Sequence, residues 1–341
     1  MDEAVLITGG TGFIGSYLTR HLAERGYPVI MYDIKEPGPE AAWILKPVLD
    51  KDKIRHVPVF AQGRIESWSR LFQVIQEYRP RKVIHMATIV NPVYLSREPL
   101  EALRVNLGGT MNILEAARLF KLQRIVYFSS IGVLPSVQYQ PIDAAHPVLL
   151  PQEGPGSSFY GASKVAGEAF CFAYHQSFGL DFITLRPSAV YGFGMQWPIF
   201  IKPMVENSVR GLPTRFEKGR EFPRDYTHVE DVTQLAIKAL EIPADKVKDR
   251  IFYAATGQPL VTAGQVAEIV KSLIPDADIQ IGSGLSEADL IEIRYRGILS
   301  IQNAQEQLGY QPRFTNIRDG VAEYIQTYRR YLTETRQSQN G

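Results

Sequence analysis

The sequence predicts an α/β protein, a doubly wound parallel sheet followed by a smaller, mixed C-terminal unit. Three observations carry this. Over the first 130 residues short β-branched runs alternate with longer amphipathic stretches, the pattern of strand–helix–strand units. The first of these runs opens directly into a glycine-rich turn. Beyond residue 186 the alternation stops, and residues 188–225 are rich in Pro, Gly, Phe and Trp.

Taken in order, Ala4 to Thr8 reads as the first strand, Ile14 to Glu24 as a helix and Pro28 to Asp33 as the second strand. Residues 35–53, with three prolines and mixed charges, read as an irregular excursion containing one short helix. Ile54 to Phe60 is the expected third strand, Trp68 to Tyr78 a helix, and Lys82 to Met86 the fourth strand. In Thr110 to Phe120 the residues Ile113, Leu114, Ala117 and Phe120 form one stripe at helical spacing, and Arg124 to Ser129 follows as a strand. Residues 135–158 carry Pro135, Pro141, Pro147, Pro151 and Pro155 and read as a long ordered loop, a length that tends to be functional. A helix from Tyr160 to His175, a strand at Asp181 to Arg186, and helices at Val229 to Glu241, Ala263 to Leu273 and Ile317 to Tyr331 complete the expectation. The domain reading assigns residues 1–186 to a dinucleotide-binding unit, with 226–258 returning to it. Residues 187–225 and 259–332 form a substrate unit, and the polar stretch 333–341 a flexible tail.

Composition narrows the function classes. The chain has 341 residues, with 37 Lys and Arg against 36 Asp and Glu, so no global field recruits nucleic acid or an acidic membrane. Anions must be held locally. A single cysteine, Cys171, permits no intrachain disulfide, and the six scattered histidines give no metal spacing, so no metal is expected. With no basic leader before Ala4 and no apolar run near the ~18 residues a membrane helix needs, a cytoplasmic location is expected.

Two motifs carry chemistry. Thr8-Gly9-Gly10-Thr11-Gly12-Phe13-Ile14-Gly15 joins strand to helix, with Gly9 for the tight turn, Gly12 for approach of backbone to a pyrophosphate and Gly15 for close helix packing. The helix N-terminus behind it, at Phe13 and Ile14, offers unpaired N–H groups and a positive dipole. Asp33, ending the second strand, can accept from both ribose hydroxyls and would repel a 2′-phosphate, which argues NAD over NADP. Tyr160-Gly-Ala-Ser-Lys164 puts a phenol and an ammonium on one helical face, and a neighbouring ammonium favours the phenolate that proton exchange with a substrate hydroxyl requires.

At these motifs the sequence resembles the extended short-chain dehydrogenase/reductase family, also called the NAD-dependent epimerase/dehydratase family, over most of its length. Further matching stretches are Val83-Ile-His-Met-Ala87, Val105-Asn106, Gly109-Thr110, Phe128-Ser129-Ser130, Leu185-Arg-Pro187, Val190-Tyr-Gly192 and Arg224-Asp-Tyr-Thr-His-Val-Glu-Asp-Val232. The resemblance implies a Rossmann-type sheet and an NAD-dependent oxidoreductase in which Tyr160 takes the hydroxyl proton. It also implies that Lys164 binds the nicotinamide ribose and lowers the Tyr160 pKa, and that Ser130, or Ser129 in the alternative register, bonds the substrate oxygen. Ala87, Asn106, Ile65 and Pro187 would line the cofactor groove. A homodimer through a four-helix bundle is implied as well.

The departures concern the substrate. Where the family often has Gly-Asp-Ile, with the Asp reading adenine, this chain has Gly63-Arg64-Ile65, so Arg64 is expected to stack on adenine instead. Ala189 stands where nucleotide-sugar enzymes commonly have Asn, whereas Arg224 keeps the family's diphosphate-binding position. Trp197, with Phe193, Met195 and Phe200, is read as a pocket wall or as core. His85, His228 and Cys171 read as buried structural residues. Two activities compete: hydride transfer at a secondary alcohol of a small sugar-like, non-nucleotide compound, and epimerisation of a nucleotide sugar with tightly bound NAD. Tyr160, Lys164 and the Ser pair argue against a catalytically silent scaffold.

Overall fold

The computed structural model describes residues 3–50, 52–148, 154–197 and 199–340, which leaves Pro151 of the long loop outside the described residues. From the N-terminus the chain forms β1 (Val5–Thr8), α1 (Phe13–Glu24), β2 (Val29–Asp33), α2 (Pro39–Leu45), β3 (Val59–Gln62), α3 (Trp68–Tyr78) and β4 (Lys82–His85). Short helices α4 (Pro92–Arg97) and α5 (Pro99–Glu101) run into a wide π-helical turn, Ala102–Gly108, that leads into α6 (Gly109–Phe120). Next come β5 (Arg124–Phe128), α7 (Ser158–Phe178), β6 (Phe182–Pro187), β7 (Ala189–Tyr191), α8 (Ile201–Val209), β8 (Thr214–Phe216), β9 (Pro223–Arg224) and β10 (Tyr226–His228). The last elements are α9 (Val229–Glu241), β11 (Ile251–Ala254), β12 (Val261–Thr262), α10 (Ala263–Leu273), β13 (Ile279–Ile281), α11 (Glu287–Glu292), α12 (Gln302–Leu308) and α13 (Ile317–Asn340).

Seven parallel strands form one sheet in the order β11-β6-β5-β4-β1-β2-β3. The order reverses between β1 and β4, and in open α/β sheets ligands bind at such a crevice, beyond the C-terminal strand ends. All four residues of β1 are fully buried because helices cover both faces. Val5 and Ile7 pack with Leu18 and Leu22 of α1 and Leu235 of α9, while Leu6 points the other way, to Leu71 of α3, Ile113 of α6 and Cys171 of α7. The chain returns to the sheet with β11, which pairs with β6. A separate core gathers β7, α8, α10 and α13 around Tyr191, Phe193, Met204, Val266 and Tyr324.

Several sequence expectations shift. The third strand starts at Val59, not Ile54, because the N–H groups of Lys53 and Ile54 close a turn on the Asp50 carbonyl at 3.1 and 3.2 Å, and Pro58 has no N–H for a ladder. Phe193 and Met195 are core, packed under α13. Residues 333–340, expected as a flexible tail, continue α13: Thr333 Oγ1 caps the Arg329 carbonyl at 3.0 Å and Glu334 accepts from Trp43 Nε1 at 2.9 Å. Gly341 lies outside the described residues.

One buried ion pair fixes α7 to the sheet. Arg186 of β6 donates through Nε and Nη2 to the two Glu168 oxygens at 2.9 and 2.6 Å, and through Nη1 to the Tyr253 hydroxyl at 3.1 Å. Arg186 is 3% exposed and Glu168 7%, so removing either charge strands the other in a low dielectric. Glu168→Gln should cost about 3–5 kcal/mol, read as a lower urea midpoint at unchanged slope. A midpoint equal to wild type would show that the pair does not hold the helix.

Candidate active site

The glycine turn is built by steric necessity. Gly9 has φ +75°, and a Cβ at Gly15 would lie 2.2 Å from the Gly9 carbonyl oxygen, so α1 seats against the turn only with glycine there. At Gly12 a Cβ would meet only that same oxygen, at 3.2 Å. Gly12 is also the N-cap of α1, and no side chain caps the helix, which leaves the first-turn N–H groups at Phe13 and Ile14 facing an anion site. Asp33, at the end of β2, reaches across: its oxygens accept from Thr11 N at 3.2 Å and Ile34 N at 2.7 Å. An uncapped helix start, a backbone cradle and a carboxylate one strand away fit a dinucleotide.

The groove continues over β4 and β5 through a line of buried hydrogen bonds. Thr8 Oγ1 accepts from the Met86 and Ala87 N–H groups at 3.1 and 3.2 Å and lies 2.7 Å from His85 Nδ1. His85 Nε2 lies 3.0 Å from Thr110 Oγ1, which itself donates to the Asn106 carbonyl at 2.7 Å. Thr110 therefore accepts from Nε2–H, and His85 is the neutral Nε2–H tautomer, its Nδ1 accepting a hydrogen bond from the Thr8 hydroxyl. Burial and the Lys164 charge hold its pKa down at about 3. Asn106 accepts from Ile89 N at 2.8 Å and donates to Ser163 Oγ at 3.2 Å, and Ser163 donates to the Tyr160 carbonyl at 2.7 Å. His85 is structural, and Asn106 works as a clamp.

Lys164 is 3% exposed, with Nζ donating to the Phe128 carbonyl at 2.8 Å and lying 5.7 Å from the Tyr160 ring centre and 5.2 Å from that of Tyr127. Burial pushes the ammonium down to about 7, opposed by Glu168. Burial pushes the Tyr160 phenol up to about 12, opposed by a hydrogen bond with Ser130. Ser130 also caps the turn after β5 by accepting from Gly132 N at 3.0 Å. Ser129 Oγ is buried without a partner. Tyr160, Lys164 and Ser130 thus come together, and Ser129 stands behind them.

Other expected residues fall less centrally. Arg64 turns its Nε to Glu66 at 2.5 Å in an exposed ion pair, while Tyr32 Oη holds its carbonyl at 2.9 Å. Ile65 is buried in the space a Cβ at Gly109 would need. Pro187 ends β6 beside Ala254. Ala189 is buried in β7 with its N–H on the Asp225 carbonyl at 3.2 Å, and Trp197 is 44% exposed.

Arg224 has a partner that sequence reading missed. Arg296 and Arg224 both reach one oxygen, Glu292 Oε2, at 2.7 and 3.1 Å, with side chains 8% and 12% exposed. The Nε atoms of both arginines and the Oη of Tyr226, two residues beyond Arg224, are buried without partners, so donors are left over beside the shared carboxylate. A backbone ladder carries Arg296 there: Val137 N donates to the Arg294 carbonyl at 2.9 Å, Ile142 N to Ile298 at 2.8 Å and Ser300 N to Ile142 at 2.8 Å. Only the basic, aromatic run Arg294-Tyr-Arg296 signalled this in the sequence.

Comparison with known proteins agrees with this geometry. Residues 5–255 match the model of the NAD dependent epimerase/dehydratase family. The chain is 30% identical to a putative UDP-glucose 4-epimerase of Methanocaldococcus jannaschii, over 94% of this chain and 97% of that one. Among solved structures, the UDP-glucose 4-epimerase of Thermus thermophilus in complex with NAD is 25% identical with a TM-score of 0.77, covering 96% of this chain and 99% of that one. The Thermotoga maritima UDP-glucose 4-epimerase with UDP-glucose superposes with a TM-score of 0.81 at 24% identity, covering 96% and 99%.

Lys164 offers a check that needs no substrate. Its folded value of about 7 lies below the ordinary 10.5, so between them the unfolded chain holds a proton that the folded chain lacks. Stability from this group therefore rises with pH across that window, by at most about 1.4 kcal/mol per pH unit, and the penalty is complete below it. Urea unfolding between about pH 7 and about pH 9 should show this slope in wild type and lose it in Lys164→Met. Equal slopes would mean that Lys164 stays charged when buried.

Proposed function

The chain belongs to the NAD-dependent epimerase/dehydratase family, and from that premise we propose that it transfers a hydride at a secondary alcohol of a sugar carried on a nucleoside diphosphate. The observation that carries the reading is the Arg224 and Arg296 pair. Two nearly buried guanidinium groups sharing one carboxylate leave a positive charge inside the protein, with Nε–H donors to spare. A diphosphate satisfies both through charge-assisted hydrogen bonds. A neutral polyol can accept from the donors but leaves the charge unanswered. Ala189, which argued against a nucleotide sugar, is offset by Ser188, whose Oγ lies 3.4 Å from Arg296 Nη1.

In this reading residues 1–186 and 226–258 bind NAD, with Gly9, Gly12 and Gly15 shaping the pyrophosphate cradle, Asp33 taking the adenosine ribose hydroxyls, and Ile65, Ala87, Asn106 and Pro187 lining the groove. Residues 187–225 and 259–332 hold the substrate, with Trp197 at its rim. NAD when bound supplies the hydride acceptor. Tyr160 accepts the proton of the substrate hydroxyl, and Ser130 orients that oxygen. Burial disfavours the Tyr160 phenolate and the Lys164 ammonium taken singly, so in this reading the base is the pair: a phenolate next to an ammonium puts no net charge in the site. Return of the hydride to the other face of the sugar carbon, with the proton going back from Tyr160 to the oxygen, would give epimerisation without net reduction of NAD. Hydride transfer that stops after the first half gives a dehydrogenase.

The same reading includes a homodimer through α6 and α7, whose outer faces leave Leu119, Phe170 and Phe178 exposed. Sedimentation should give a dimer that Phe170→Glu dissociates, and a monomeric wild type would exclude it. Among the described residues no helix is long and apolar enough to cross a membrane.

The activity is tested by incubating the protein and NAD with UDP-sugars, sugar acids and polyols, following reduced nicotinamide and product configuration. Isomerised UDP-sugar without net NADH is expected. NADH formed with a polyol or sugar acid, and no response to any UDP-sugar, would overturn the nucleotide reading. Tyr160→Phe should lower turnover by at least about 10²-fold while NAD affinity stays near wild type.

A further inference from the structure

The two arginines are answered by a carboxylate from an unusual place. Glu292 is the last residue of α11, a six-residue helix whose neighbouring side chains Leu290 and Ile291 are 56% and 53% exposed. The helix is closed mostly on itself: Ser286 Oγ accepts from Asp289 N at 3.2 Å, and Asp289 accepts from Ser286 N at 2.9 Å. The Glu292 side chain is 33% exposed, so water reaches the carboxylate while the guanidinium groups beyond it are nearly dry. A single oxygen, Oε2, serves both arginines. Their other close contacts are not carboxylates: Arg296 faces Ser188 Oγ and lies over the Tyr295 ring at 5.1 Å, and Arg224 lies over the Phe222 ring at 4.6 Å. Asp225, next in the chain, turns away to the Thr227 and Thr256 hydroxyls at 3.2 and 3.0 Å.

We propose that Glu292 is a built-in competitor for the diphosphate, an affinity-setting residue that takes the anion's place between Arg224 and Arg296 and must let go when the nucleotide binds. The proposal rests on the nucleotide-sugar reading and adds to it the residue that limits nucleotide affinity. A ligand anion entering this site meets a negative charge on the donors it needs. Binding then requires the fraction of molecules in which Glu292 has swung to solvent, and apparent affinity falls by that fraction. The cost is bearable because α11 is lightly anchored and the released carboxylate is hydrated at once. The gain is in release: as the nucleotide leaves, Glu292 closes on the arginines and only one of the two buried positive charges is left unanswered. In an enzyme whose substrate and product share one diphosphate, tight diphosphate binding slows product release, a step that limits turnover in many enzymes, and Glu292 opposes it.

The test titrates the NAD-loaded protein with UDP and with uridine, by calorimetry, for wild type, Glu292→Gln, Glu292→Ala and Glu292→Asp. UDP should bind about tenfold or more tightly to the Gln and Ala variants, uridine should bind all four equally, and the Asp variant should stay near wild type. A gain shared by uridine would place Glu292 in the base or sugar pocket and overturn the proposal. UDP affinity unchanged or weakened in both the Gln and Ala variants, with wild type binding UDP, would make Glu292 a strut and also overturn it, leaving the nucleotide reading intact. UDP binding to none of the four, at unchanged unfolding midpoints, would remove the nucleotide reading and this proposal with it.

Discussion

A line of buried hydrogen bonds running from Thr8 through His85, Thr110, Asn106 and Ser163 to the Tyr160 carbonyl sets the relation on which the cleft depends. It begins at the strand that feeds the glycine turn and ends at the residue proposed as the base. Each bond contributes only about 0.5–1.5 kcal/mol net, but each loss strands a buried partner at about 1–3 kcal/mol. His85 makes the line possible because it can accept on one ring nitrogen and donate on the other. Its pKa of about 3 keeps it in that state across physiological pH. A methyl or amide in its place would break the line at β4 and leave the two halves of the cleft to find their own spacing.

Beyond that line, the charges inside the protein divide by what satisfies them. Arg186 and Glu168 satisfy one another with full geometry and fasten α7. Arg224 and Arg296 are satisfied only in part, by one oxygen from a short helix. The first arrangement suits a permanent structural tie and the second suits exchange with a ligand. Neither difference follows from residue type. It follows from how many donors find acceptors, and from whether water reaches the acceptor.

The legible parts of the sequence were those whose meaning is local. The turn from Gly9 to Gly15 and the four-residue spacing of Tyr160 and Lys164 specify their geometry within one or two turns of chain, and Val229 to Glu241 and Ala263 to Leu273 announce helices by periodicity alone. Arg296 was not legible, because its position comes from pairing residues 137–142 with 294–300, a contact between segments with no common pattern. The third strand was misplaced because Ile54 looks like a strand residue but closes a turn, and Pro58 delays the ladder. The polar end of α13 looked frayed because its anchor, Trp43, lies almost the whole chain away. Arg64 shows the same limit, since its pairing with Glu66, two residues on, was not announced by the sequence.

The ladder between residues 137–142 and 294–300 joins the loop that follows Ser130 to the segment that carries Tyr295 and Arg296, and the Ser157 hydroxyl, 3.3 Å from Tyr295 Oη, closes the other side. The segments that carry Ser130 and Arg296 are thereby parts of one frame. A single residue inserted into either rung would slide Arg296 by about 3.3 Å, one strand step, against Tyr160. Exchange of side chains at positions such as Ala189, Trp197 and Glu292 leaves this frame intact, whereas a change of length between the rungs does not.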